Sequence, residues 1–445
     1  MKKTITFATL FILNLIALNA QEVKSSTAKD IIPVVKFSDN INVKFGGWVR
    51  AEYYIDSRET VGAVDDLFGF FPENKKADAN GNDMNAVLRQ NLSTQATRFN
   101  ALVSGPDIFK AKSSSFFEFD FTGGVATQAS TGATSPVGFR LRHAWAKLVW
   151  NKSELLIGKT WNPLAEISFP SVVGLHTGIP FRPFGRGDQI RFTLKPTKEI
   201  NILMAALYQT EHKSYLYNDA AINAQAGNTN DIRSNPIPDF HLQLQYKTKD
   251  IFAGIVSEYK ILRPATQTTG TGGTFNTSET VSSYSLGAFA DYKKNLFQAK
   301  VSGIYAQNLS ELFQIGGYAV KSYDAVTGAK TYTPSNTLSY WANVTYGKTW
   351  VGGLFAGYTK NLGFNDNLVS TAGGASTFLG RWQNVDRIYR IAPSIKYNIK
   401  NWQFAGEIDY NVAGYGTVDN NNKGKVSNVK DISGVRGILA TTFFF

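Results

Sequence analysis

From Ile41 onward apolar and polar side chains alternate. Ile41, Val43, Phe45, Gly47, Val49, Ala51, Tyr53 and Ile55 are interleaved with Asn42, Lys44, Trp48, Arg50, Glu52 and Asp56. Successive side chains of an extended strand point to opposite faces. One face therefore suits lipid and the other water, although a strand of a soluble sandwich alternates in the same way. Repetition separates the two. Alternating segments recur at 91–104, 112–123, 138–150, 154–161, 189–195, 199–209, 239–247, 251–262, 280–292, 296–307, 337–346, 350–360, 385–397, 401–413 and 431–445. With the first, they predict an all-β fold: a transmembrane antiparallel β-barrel of about 16 strands, within the even numbers that bacterial barrels use.

The connections sort by length. Short periplasmic turns such as 151–153, 196–198, 293–295 and 398–400 alternate with long extracellular loops that start near Arg58, Gly124, Asn162, Thr210, Arg263, Asn308, Asn361 and Gly414. Aromatics recur at the strand ends, with Tyr53, Tyr208, Tyr259, Tyr305, Tyr358 and Tyr410 at one rim. Tyr246, Tyr292, Tyr346, Tyr397 and Phe445 mark the other. Two such girdles fit the two membrane interfaces. The last segment ends on Phe443-Phe444-Phe445. In an open sheet it would be a sticky edge; in a closed ring it pairs with the first strand.

Composition agrees with a strand-rich envelope protein: 13% aromatic, 39 Gly and no Cys among 445 residues. The pattern of 1–20, with Lys2 and Lys3 before an apolar run, predicts a signal peptide; 21–40 is a periplasmic lead-in and 41–445 the barrel. No later stretch is apolar for long enough to cross a membrane as a helix. The net charge of +12 is dispersed along the chain, without a nucleic-acid-binding motif, so nucleic acid is not an expected partner. The expected setting is the lipid bilayer of the bacterial outer membrane.

The polar faces would line the lumen. They carry Arg50, Arg98, Glu118, Asp120, Arg140, Arg142, Arg191, Lys195, Gln243, Gln245, Lys300, Arg390, Glu407 and Asp409. Such a wall either braces the barrel or forms a water-filled channel that concentrates small anionic solutes. Loop 162–188 carries four prolines together with Phe169, Val172, Val173, Leu175, Ile179, Phe181 and Phe184. That apolar content predicts a loop folded against the inner wall, placing Glu166, His176, Arg182, Arg186 and Asp188 at a constriction. The alternative is an outer lid packed on itself. His143 and Trp145 fall on the lipid-facing parity of their strand. A polar ring there suggests a subunit interface, unless a bulge intervenes.

Phe116–Gly124 (FFEFDFTGG), Phe139–Ala146 (FRLRHAWA) and Leu155–Trp161 (LLIGKTW) together resemble the DcaP-like trimeric porin family. The resemblance covers about the first 200 residues. It implies a homotrimeric diffusion channel favouring small anions such as dicarboxylates, with Arg140, Arg142 and Lys159 facing the pore. The sequence departs from the family in lacking a long coiled-coil start, since 21–40 is short and contains Pro33.

Catalytic chemistry finds no motif. His143, His176, His212 and His241 lie in no metal-ligand spacing and beside no nucleophile signature. No enzyme activity, cofactor or metal is expected. A second reading, from a different class, is a non-conducting accessory barrel of an envelope assembly or secretion complex. Its long loops, including a hairpin around Thr327-Gly328, would then be partner surfaces.

Overall fold

The computed structural model describes residues 34–38, 40–64, 66–124, 137–166, 168–214, 233–369 and 378–445. The expected signal peptide lies outside these residues, as does most of the lead-in. Sixteen wall strands follow in order: β1 (Ile41–Asp56), β2 (Arg89–Ser93 and Arg98–Ser104), β3 (Lys112–Gly124), β4 (Val137–Val149), β5 (Ser153–Trp161), β6 (Arg186–Leu194), β7 (Ile200–Tyr208) and β8 (Asp239–Lys247). The second half comprises β9 (Ile251–Leu262), β10 (Val281–Lys294), β11 (Phe297–Gln307), β12 (Lys330–Gly347), β13 (Trp350–Phe364), β14 (Val385–Ile399), β15 (Trp402–Asp419) and β16 (Lys425–Phe444). Each pairs antiparallel with the next. The strand count and the closed antiparallel ring match the sequence expectation.

Closure uses the register Trp48↔Phe444 through Asp56↔Arg436 between β1 and β16. Beyond it, Gly47 and Phe445 exchange backbone bonds, N–H to O at 3.0 and 3.1 Å. Gly47 is required there: a Cβ would lie 2.3 Å from the Arg98 carbonyl oxygen. A ring without edges pairs the backbone groups that hydrocarbon cannot solvate. The end of the lead-in is itself a strand: Val34–Ser38 pairs with the part of β1 that β16 does not reach.

Outward residues form a dry belt. Ile190, Leu286 and Ile408 are 56, 56 and 55% exposed, which only lipid would tolerate over a whole circumference. Tyr208, Tyr259 and Tyr410 are exposed at the long-loop rim, and Tyr246, Tyr292 and Tyr346 at the short-turn rim.

The main core lies inside the ring. Three loops fold into the lumen. The first carries a hairpin of Thr60–Ala63 and Phe68–Pro72. The second is 162–185, with helix α1 (Pro163–Glu166) at its start. The third carries the 3₁₀ turn Ser310–Leu312. Phe70 and Phe71, then Ile179, Phe181 and Phe184, then Phe313 and Ile315, pack with Trp341, Phe355, Val385 and Ile388 of the wall. A backbone bond ties the second and third loops together, from Phe184 N–H to the Leu312 carbonyl at 3.0 Å. Because β6 begins at Arg186, Arg186 and Asp188 belong to the wall rather than to the loop.

Candidate functional site: a basic wall and an inward loop

A β-bulge builds the basic wall. Glu118 of β3 pairs with His143 of β4, but the next residue, Phe119, pairs with Leu141. The extra residue leaves Arg142 and His143 both turned inward, 1 and 6% exposed, and reverses the parity of β4 beyond them. This corrects the assignment of His143 and Trp145 to an outer subunit interface. His143 Nδ1 lies 3.0 Å from Thr160 Oγ1. Trp145 stacks on Phe116 at 5.5 Å and lines the lumen.

Around the bulge, four guanidinium groups share three carboxylates. Arg142 donates from Nε to Glu118 Oε1 at 2.6 Å and from Nη1 to Asp120 Oδ2 at 2.8 Å. Arg140 donates to both Asp120 oxygens, at 3.0 and 2.7 Å, and to Glu211 at 3.2 Å. Arg186 pairs with Glu211 through its side chain, and its N–H donates to Oε2 at 2.9 Å. Arg98 stands 3.8 Å from Glu118 and stacks over Trp48 at 4.6 Å. Arg186 lies over Trp161 at 4.4 Å. Paired forks and aromatic faces fix these cations in direction as well as position. Glu211, in the loop after β7, escaped the sequence reading. Burial alone would raise its carboxyl, but Arg186 and Arg140 outweigh that effect and hold it at about 2.

Other side chains of the ring grip the backbone of loop 162–185. Lys300 takes the Phe169 carbonyl at 2.8 Å, Lys396 the Ser171 carbonyl at 2.9 Å, and Arg50 the Val173 carbonyl at 2.7 Å. Glu407 accepts from the N–H groups of Val173 and Gly174 at 2.7 and 3.0 Å. His176 is buried between Arg390 and two carboxylates: its Nε2 lies 3.1 Å from Asp409 and 3.4 Å from Glu407. Its Nδ1 accepts from Arg390 at 2.6 Å and from Gly178 N–H at 3.1 Å, which leaves the proton on Nε2. The ligand atoms of His176, Glu407 and Asp409 lie within 4.8 Å of one another, a grouping able to take a cation that no sequence spacing announced. Arg390 already supplies positive charge there.

The remaining predicted residues divide. Arg191 faces inward and pairs with Glu166 of α1. Arg182 does not stand at an opening. It is 2% exposed, lies over Phe169 at 3.8 Å, and donates to the carbonyls of Ala165 and Thr177 within its own loop. Lys159 and Asp188 are a correction. They pair across β5 and β6 on the face shared by Ile157, Ile190 and Tyr208, which is the outer one. Strand alternation decides this, since Gln189 and Arg191 take the inner positions.

No family model matches the chain, and no curated protein matches it. Solved structures do. The outer membrane channel DcaP of Acinetobacter baumannii superposes with a TM-score of 0.63 at 14% identity, covering 92% of this chain and 99% of that one. Outer-membrane expressed OmpT of Vibrio cholerae gives 0.52 at 10% identity, covering 93% and 100%. These likenesses establish the fold of outer-membrane porins. A sixteen-strand ring of that fold with a dry outer belt is a protein of the bacterial outer membrane.

Proposed function

We propose that the chain is an outer-membrane porin, DcaP-like in its channel, that admits small hydrophilic anions by passive diffusion. The observation that carries this reading is the shared network on β2, β3, β4 and β6, in which four guanidiniums meet three carboxylates. The surplus positive charge sits inside a ring whose low-dielectric surroundings strengthen its field. Arg50, Arg98, Glu118, Asp120, Arg140, Arg142, Arg186 and Arg191 are its lumen-facing residues. A leader over 1–20 and a homotrimeric state belong to the same proposal. With His143 and Trp145 turned inward, contact between subunits falls to the apolar outer belt. Planar-bilayer recording tests the reading: discrete conductance steps are expected, with a reversal potential on the anion side in a salt gradient.

A second reading is favoured by the core inside the ring. Phe71, Phe181 and Phe355 are sealed from solvent by three loops at once. A filled lumen suits an accessory barrel of an envelope complex. Silent bilayers, together with co-purification of stoichiometric partner proteins in mild detergent, would select it.

A further inference from the structure

On the short-turn side of the inward loop, β4 to β9 enclose a lumenal cavity of about 490 Å³ that the basic wall leaves unused. Trp145, from the first of these strands, and Phe252, from the last, supply aromatic faces, with Leu156 and Leu203 between them. Lys147 and Lys247 come from β4 and β8 and Lys195 directly follows β6; the three strands run in the same direction, and each lysine lies within two residues of its strand's end. They therefore stand at one level of the lumen. Lys195 is neutralised by Glu154, and Arg191 by Glu166. Lys147 and Lys247 have no carboxylate partner among the described residues. Each ammonium instead lies over a ring, Lys147 over Trp145 at 5.1 Å and Lys247 over Phe252 at 5.8 Å.

Two unneutralised ammonium groups seated on aromatic faces form a mixed surface. A bare inorganic anion would use only its charge. A carboxylate on a flat apolar body would use the charge and the rings together. We propose that this cavity is a holding site for small organic acids with an apolar body, on the short-turn side of the lumen and separate from the basic wall. The proposal rests on the channel reading for its supply of solute, so the test reads binding directly.

Saturation-transfer NMR on the full chain in detergent, with benzoate as probe, is the measurement. Benzoate should bind saturably, acetate far more weakly, and benzylamine not at all. Lys147→Gln with Lys247→Gln should weaken benzoate about tenfold, whereas Lys147→Arg with Lys247→Arg should retain it. Unchanged heat-shifted gel migration checks that each variant keeps its barrel. Equal affinity in wild type and the Gln pair, equal binding of benzylamine, or no benzoate binding at all would overturn the site. Lysine-dependent binding alongside a silent bilayer would keep the site and remove the channel.

Discussion

Arg390 of the wall donates to Nδ1 of His176 in the inward loop across 2.6 Å, and both side chains are closed off from solvent. The same guanidinium reaches Asn411 and the carbonyls of Gly69 and Phe70, so one side chain joins the ring to two loops. Arg390→Met would leave Asp409 and those carbonyls buried without it. We expect a loss of about 3–5 kcal/mol in urea unfolding followed by tryptophan fluorescence. Arg390→Lys should recover only part, because an ammonium cannot reproduce the fork. A loss under about 1 kcal/mol would show that the anchor is dispensable.

Gly357 of β13 makes room for Phe181. A Cβ at Gly357 would lie 2.4 Å from Phe181 Cγ. Gly357→Leu should therefore expel Phe181 from the inner core while leaving the ring's own backbone pairing intact. Segment 162–185 should become cleavable by added protease, and bilayer conductance should rise. An uncut loop with wild-type conductance would mean the contact does not position it.

Orientation predicts which charges matter for selectivity. Arg140→Gln removes a lumenal cation, and the anion-to-cation permeability ratio should fall a few-fold at 0.1 M salt, with the difference shrinking near 1 M as screening shortens to about 3 Å. Lys159→Glu on the outer face should leave the ratio unchanged. A shift in the second variant comparable to the first would return Lys159 to the lumen.

Glu211 links the loop after β7 to Arg140 and Arg186. Its carboxyl is held at about 2, against an ordinary value of 4.5. A group depressed by folding stabilises the folded state above its unfolded value and loses that contribution as pH falls through the folded one. The urea midpoint of the wild type should therefore drop from about pH 4.5 to about pH 2 more steeply than that of Glu211→Gln. Parallel profiles would assign the acid sensitivity to other groups.

The wall strands were readable because period-two alternation is written residue by residue, as where Val49, Ala51 and Tyr53 alternate with Arg50 and Glu52. The face of β4 was not. The bulge at Arg142-His143 carries no Gly or Pro to mark it, and a single extra residue moved His143, Trp145 and Lys147 to the opposite side from the one a strict count assigns. Asp188 failed because loop 162–188 was drawn too long and hid the start of β6 at Arg186, whereas Lys159 was placed by family resemblance against the parity of its own strand. The grip of Arg390, Glu407 and Asp409 on His176 was invisible because those partners lie more than two hundred residues away along the chain. The hairpin that brings Phe70 and Phe71 into the ring left no signal beyond its aromatic content.

Loops from three distant parts of the chain contribute side chains to one apolar cluster within the ring. Phe184 cannot withdraw without stripping a neighbour from Phe68 of the first loop and from Phe313 of the third. Such a stopper behaves as a cooperative unit: partial release exposes most of the shared surface and recovers little freedom. Any opening of this barrel would then register as an abrupt step between two current levels, not as a gradual widening.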